Sequence, residues 1–165
     1  MDIRIGIIGG SGLDDPNLLR DIKERVVETP YGKPSSPLTT GKMNGVDAVV
    51  LARHGPGHSI SPTGVNYRAN IYALKEVGCT HILATTAVGS LREEIRPGDL
   101  VFTDQFIDQT KHRILTFHEQ KVIHTPMAEP LCKRLSALLE ESAKELNLRY
   151  HRGGTVGTIE GPRFS

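Results

Sequence analysis

Residues 3–8 form a short apolar run, Ile3-Arg4-Ile5-Gly6-Ile7-Ile8, that empties at once into Gly9-Gly10-Ser11-Gly12. An apolar run rich in β-branched residues reads as a buried strand. Glycine so dense after a strand lets the backbone turn tightly and approach a ligand closely. Its N–H groups can converge on an anion, with the Ser11 hydroxyl as a further donor. Phosphate is the obvious candidate. Taken alone, the same loop is equally a tight strand–helix turn without a ligand.

At 165 residues the chain has the length of one domain. A domain of that size hides roughly two-thirds of its extended surface, enough for a real core. Lys and Arg number 20 against 19 Asp and Glu. That balance argues against a general nucleic-acid binder, which shows a basic face, yet leaves room for a small anion in a local basic pocket. Cys79 and Cys132 stand far apart, without the spacing of a disulfide framework or a zinc site. Both read as small buried apolar residues in a reducing compartment. No basic-then-apolar leader precedes Ile3 and no apolar run approaches membrane length, so a soluble, cytoplasmic protein without a membrane partner is expected.

Along the chain, Asp14-Asp15-Pro16 reads as a cap and first turn of a short helix reaching Arg20. Residues 26–29 read as a strand closed by Pro30-Tyr31-Gly32-Lys33-Pro34. Two strands flank Asn44-Gly45, a hairpin signal, and the second is apolar on both faces, as a central strand is. A helix is expected over 65–77, with Tyr67, Ile71 and Leu74 on its inner face, ending at Gly78. Strands follow over 81–88 and 99–103. Residues 105–128 read as an irregular polar loop, of the kind that is usually functional or contacts a partner. Pro130 opens a helix lined by Leu131, Leu135, Leu138, Leu139 and Leu146. A last strand over 150–159 is broken by Gly153-Gly154.

Strands alternating with helices, plus a hairpin, point to an α/β fold with a mixed central β-sheet flanked by helices, in a single domain. Ligands in such sheets bind at the carboxyl ends of strands. Gly9 to Gly12, Arg53-His54-Gly55 and Thr85-Thr86-Ala87 all fall there. Arg53 offers a permanent charge in a fork that matches phosphate oxygens. His54 adds a donor, and Thr86 a hydroxyl and a backbone N–H. Singly, each could be an ordinary loop or strand residue; together they point to an anion site. A dinucleotide fold fits poorly, because residues 6–12 do not follow G-x-G-x-x-G and no acidic residue ends the next strand about 20 residues on in a clean βαβ unit. Arg53-His54-Gly55 resembles the nucleophile motif of histidine phosphatases, but there it closes the first strand, and no second catalytic His motif is evident.

Six ordered motifs carry a more specific resemblance. Gly6-Ile7-Ile8-Gly9-Gly10-Ser11-Gly12-Leu13, Thr29-Pro30-Tyr31-Gly32-Lys33-Pro34-Ser35, Leu51-Ala52-Arg53-His54-Gly55, Val65-Asn66-Tyr67-Arg68-Ala69-Asn70, Thr85-Thr86-Ala87-Val88-Gly89-Ser90 and Glu160-Gly161-Pro162-Arg163-Phe164-Ser165 resemble, over the whole chain, the methylthioadenosine phosphorylases of the trimeric purine nucleoside phosphorylase group. The resemblance implies phosphorolysis of 5′-methylthioadenosine to adenine and 5-methylthioribose 1-phosphate. Inorganic phosphate would be the co-substrate, with no metal or organic cofactor. It implies phosphate binding by Ser11, Arg53, His54, Thr86 and Ala87, the last through its backbone N–H. Phe164 would pack on ribose and base, Ser165 would lie at the base, and His124 would complete the 5′ pocket of a neighbouring subunit in a homotrimer. Thr85-Thr86-Ala87 resembles the 6-aminopurine members.

Family members continue past the Gly-Pro-Arg-Phe-Ser motif, and that continuation carries the aspartate that protonates the leaving base, so no catalytic residue is assigned in this chain. The sequence is thus expected to be a fragment or a naturally short chain lacking the C-terminal part of the phosphorylase fold, inactive or very weak alone. The alternatives are a phosphorylase for methylthioinosine or another purine nucleoside, and a non-catalytic phosphate-binding or assembly module.

Overall fold

A computed structural model describes residues 2–10 and 18–161. The chain divides into two units, residues 1–88 and 89–165, each described by itself. In the first, β1 (Arg4–Gly9), β2 (Arg20–Arg25), β3 (Leu38–Met43), β4 (Val46–Ala52), α1 (Tyr67–Glu76) and β5 (His81–Ala84) follow in order, with short 3-10 turns at Pro56–His58 and Pro62–Gly64. The strands form one sheet in the order β2-β3-β4-β1-β5. β1 pairs in parallel with β4 and β5, whereas β3 is antiparallel to both β4 and β2. The expected mixed α/β sheet is therefore present.

Period-two alternation sorts the central strands onto two cores. Ile8, Val49 and Leu51 face one side with Val27, Leu38, Ala73, Leu74 and Val77. Ile7, Ala48 and Val50 face the other with Leu19. This is why β4 is apolar on both faces. Its hairpin to β3 turns at Asn44 and Gly45, with φ of 48° and 83°, the backbone that a two-residue turn of this hand requires.

α1 starts where the Asn66 side chain accepts from the Ala69 N–H at 3.2 Å. It stops at Gly78, in the left-handed region at φ 83°. There the Gly78 N–H donates to Lys75 O at 2.9 Å and the Cys79 N–H to Leu74 O at 3.0 Å, satisfying carbonyls of the last turn. The inner face is Ala69, Asn70, Ala73 and Leu74; of the expected residues Leu74 is there, and Tyr67 and Ile71 are not. Small residues let the helix approach the sheet closely. At Gly6 of β1 a Cβ would stand 3.3 Å from both Cys79 Sγ and Leu74 Cδ2. Tyr67 instead donates its hydroxyl to Pro62 O at 2.9 Å, and Ile71 is exposed.

Other expectations shift. Arg20 opens β2 rather than closing a helix, and residues 14–17 of that helix lie outside the described residues. The expected strand over 26–29 is displaced onto the charged β2, whose six residues are all exposed. Its order comes from the ladder to β3 rather than from burial, and its register slips between Arg20 and Lys23. Val27 lies past the strand and packs into the core instead. β5 ends at Ala84, short of the expected 88, because its partner β1 ends at Gly9 and only the Thr85 N–H still reaches Ile8 O, at 3.1 Å.

The second unit contains β6 (Leu100–Phe102), β7 (Gln105–Asp108), α2 (Lys133–Glu145), β8 (Tyr150–Arg152) and β9 (Thr155–Thr158). β6 pairs in parallel with β8, and β7 with β9. β7 corrects the expectation of irregular chain throughout 105–128; its partner lies far along the sequence, so no local turn announces it. Both ladders break together, with Gly153 and Gly154 at φ 79° and 125° beside Asp104, whose Oδ1 accepts from the Gly154 N–H at 3.0 Å. Ahead of β6, the Asp99 side chain, 3% exposed, takes His151 Nε2 at 2.8 Å, Arg149 Nε at 3.1 Å and the Arg96 N–H at 3.0 Å. The His151 bond, then the Arg96 N–H and the Arg149 charge, hold its carboxyl below the usual range. α2 begins at Lys133 rather than at Pro130. Of its expected lining Leu131, Leu138 and Leu146 are exposed, and so is Cys132, which is the N-cap residue rather than a buried one.

Leu74 is fully buried between α1 and the sheet. Leu74→Ala should destabilise the first unit by about 2–5 kcal/mol, read as a lower urea midpoint.

Candidate anion site

The parallel register brings the ends of β4, β1 and β5 level, pairing Ala52 with Gly9 and Ala84 with Ile8. The loops leaving them therefore emerge side by side. The Arg53 N–H donates to Gly9 O at 3.2 Å, continuing the ladder by one residue. Its side chain turns across β1: Nη1 donates to Thr85 O at 2.7 Å, and Nε approaches His54 Nε2 at 3.3 Å. Nη2 lies 3.3 Å from where a Cβ on Gly10 would stand, so Gly10 gives the fork its room. Arg53, Gly10 and Thr85, from the three stretches expected at strand ends, thus meet.

The His54 ring is held on three sides. Nδ1 donates to Ile60 O at 2.9 Å, which leaves Nε2 as the acceptor facing Arg53. His58 stacks on the ring at 5.3 Å between centroids. With Nδ1 donating to Ile60 and Nε2 accepting from Arg53, the N–H that His54 has left to offer is its backbone one. The backbone N–H groups of His54, Thr86 and Ala87 make no bond to another described residue, and the Thr86 hydroxyl bonds only locally, to Ala87 O at 3.3 Å. A guanidinium fixed at these strand ends, with backbone N–H groups of the same loops left unbonded among the described residues, is an arrangement suited to a tetrahedral oxyanion.

Sequence reasoning missed the carbonyls of Thr85 and Ile60 and the stack of His58; only the glycines around Pro56 hinted that the loop folds back. Ser11, Phe164 and Ser165 lie outside the described residues. His124 is exposed, in the stretch of the second unit between β7 and α2 that has no regular structure. Among the described residues no group of His, Cys, Asp and Glu could hold a metal ion, and no helix is long and apolar enough to cross a membrane.

The family model described as the Phosphorylase superfamily matches residues 4–165. The chain belongs to the phosphorylase superfamily. It is similar to the S-methyl-5′-thioadenosine phosphorylases of Danio rerio, at 58% identity over 99% of this chain and 60% of the relative, and of Xenopus tropicalis, at 56% over 99% and 60%. Among solved structures, a doubly substituted adenosine/methylthioadenosine phosphorylase from Schistosoma mansoni in complex with adenine superposes with a TM-score of 0.94 at 47% identity, covering 99% of this chain and 66% of that one. The chain thus spans about 60% of the length of the curated relatives it matches.

In this phosphorylase-superfamily chain Glu160, which opens the Glu-Gly-Pro-Arg-Phe-Ser motif, ties down the loop after β7. Its carboxylate accepts from the Lys111 N–H at 2.7 Å and the His112 N–H at 3.0 Å, with Arg113 Nε 4.0 Å away. The Lys111 N–H, then the His112 N–H and the neighbouring positive charge, hold the carboxyl below its ordinary value. A depressed carboxyl contributes stability above its unfolded value of about 4.3 and loses it as pH falls through the folded one. Glu160→Gln imitates the acid form, so at neutral pH trypsin should cut after Lys111 or Arg113 several-fold faster than in wild type; equal digestion would count against the tether.

Proposed function

We propose that the full protein is a pentosyltransferase that cleaves 5′-methylthioadenosine by phosphorolysis, giving adenine and 5-methylthioribose 1-phosphate. The observation that carries this reading is the Arg53 fork, fixed at the carboxyl ends of three parallel strands beside the N–H groups of His54, Thr86 and Ala87. The names of its relatives supply the nucleoside. Phosphate held there is aimed at the anomeric carbon. A phosphate oxygen forms the new bond to C1′ as the bond to the base nitrogen breaks, and the base leaves with that electron pair and takes up a proton. Charge that develops at the sugar is cationic and lies opposite the phosphate. The Arg53 fork, already held by Thr85 O, needs no reorganisation as the reaction proceeds, and positioning two reactants is itself a large contribution to rate.

Ser11 and Thr86 add hydroxyl contacts to the same phosphate in this reading, and Phe164 and Ser165 line the nucleoside. Inorganic phosphate is the co-substrate and no cofactor is needed. The assembly is a cytoplasmic homotrimer in which the stretch containing His124 covers a neighbour's 5′ pocket. The exposed Leu115, Val122 and Met127 of that stretch support such a contact. Sedimentation of the full protein as a trimer is the expected outcome.

The assay is phosphate-dependent release of adenine from 5′-methylthioadenosine by the full protein, with products resolved by chromatography. Release of hypoxanthine from methylthioinosine in its place would move the reading to a 6-oxopurine. Arg53→Ala should weaken phosphate binding by roughly ten- to a hundredfold, the weight of a charge-assisted pair, in calorimetry. The circular dichroism spectrum should not change. Unaltered phosphate affinity in that variant would sink the site.

A further inference from the structure

Behind Arg53, on the side away from β1, the antiparallel ladder between β3 and β4 runs out. β3 begins at Leu38, its last register pair on this side is Thr39 with Val50, and the residue before it is Pro37, which has no N–H to give. The Ala52 N–H points into that gap. Its partner is a side chain: Ser36 Oγ accepts from Ala52 N at 3.1 Å and donates to Pro37 O at 2.8 Å. Ser36 thus stands in for a missing rung immediately before Arg53. On the other side of the same backbone the Arg53 N–H is held by Gly9 O.

Ser36 is itself placed by a buried polar pair. Asn70 of α1 is 3% exposed and Ser35 is 8%. Asn70 Oδ1 accepts from the Ser35 N–H at 2.8 Å, and Asn70 Nδ2 donates to Ser35 Oγ at 2.9 Å. One turn earlier, Asn66 Nδ2 donates to Tyr31 O at 2.7 Å, fixing the start of the same segment. Asparagine buried in the helix–sheet interface carries a desolvation cost that an apolar residue would not. Here both ends of its amide are spent on Ser35. The geometry points to Ser36 as a positioning residue for Arg53, held by Asn70, so that α1 sets the aim of the guanidinium through Ser35, Ser36 and the Ala52 N–H. A hydroxyl that served stability alone would have no reason to affect one ligand more than another.

The inference rests on the reading of Arg53 as the phosphate ligand. The test uses the full protein with Ser36→Ala and Ser36→Thr, inorganic phosphate and 5′-methylthioadenosine. Ser36→Ala should raise KM for phosphate and the calorimetric Kd for phosphate by about three- to tenfold, the weight of one neutral hydrogen bond, and leave KM for the nucleoside unchanged. Ser36→Thr keeps the hydroxyl and should restore the phosphate values. A ligand-free readout accompanies these: the Arg53 Nε–H signal in NMR should exchange faster with solvent in Ser36→Ala than in wild type. Equal rises in both KM values, an Ala variant identical to wild type, or unaltered exchange at Arg53 overturns the positioning role. Failure of the wild type to release adenine, with phosphate bound and the Ser36 effects on Kd and exchange intact, overturns the functional reading and leaves the positioning role standing. Failure of the wild type to bind phosphate at all overturns both.

Discussion

The parallel pairing of β1 with both β4 and β5 is the constraint on which the first unit depends. A parallel ladder makes neighbouring strands run the same way, so their carboxyl ends fall level and whatever follows them meets at one edge. Here that edge collects Gly10, Arg53 and Thr85 from stretches far apart in sequence. The same pairing decides burial. Ile7 and Ile8 must face opposite sides, so each side needs its own apolar cover, and α1 supplies one of them. The close fit of that helix runs through Gly6, which leaves space for Leu74 and Cys79.

In the candidate anion site backbone and side chain hold each other. Arg53 is anchored through its N–H to Gly9 and through Nη1 to Thr85, and so bridges the two loops on either side of β1. His54 is anchored through Ile60. A guanidinium bonded into the fold in this way keeps its geometry without ligand, as preorganisation requires. In the second unit a carboxylate does comparable work: Glu160 gathers the N–H groups at the start of the loop after β7, where no strand partner is available to them.

Much of this was legible in the sequence wherever the signal is local. Asn44-Gly45 and Gly153-Gly154 mark a turn and a break because few other residues adopt those backbones. β1 and β4 announce themselves because both faces are buried. β2 did not, since its order comes from hydrogen bonds to β3 while every side chain stays in water. The inner face of α1 was misjudged because its closest contacts are two alanines and an asparagine, which carry little weight in a hydrophobic pattern. The same blindness hid Ser36, an ordinary loop serine in sequence that becomes a ladder partner only because Pro37, just before β3, has no N–H to pair beside Ala52. That the stretches holding Arg53, His54 and Thr86 lie together at strand ends was legible because it follows from the alternation of strands and helices.

The charged edge at β2 has a consequence for how this sheet can grow. A strand approaching that side would have to strip water from Arg20, Lys23, Glu24 and Arg25 and match a register already broken by Asp21 at a φ of 55°. That border is closed by solvation and by shape. At the opposite border β5 is four residues long, carries no such run of charge, and has only β1 as a strand partner among the described residues. Extension of the sheet is therefore polarised. A strand added beside β5 would lie next to Thr86 and Ala87, at the rim of the candidate anion site.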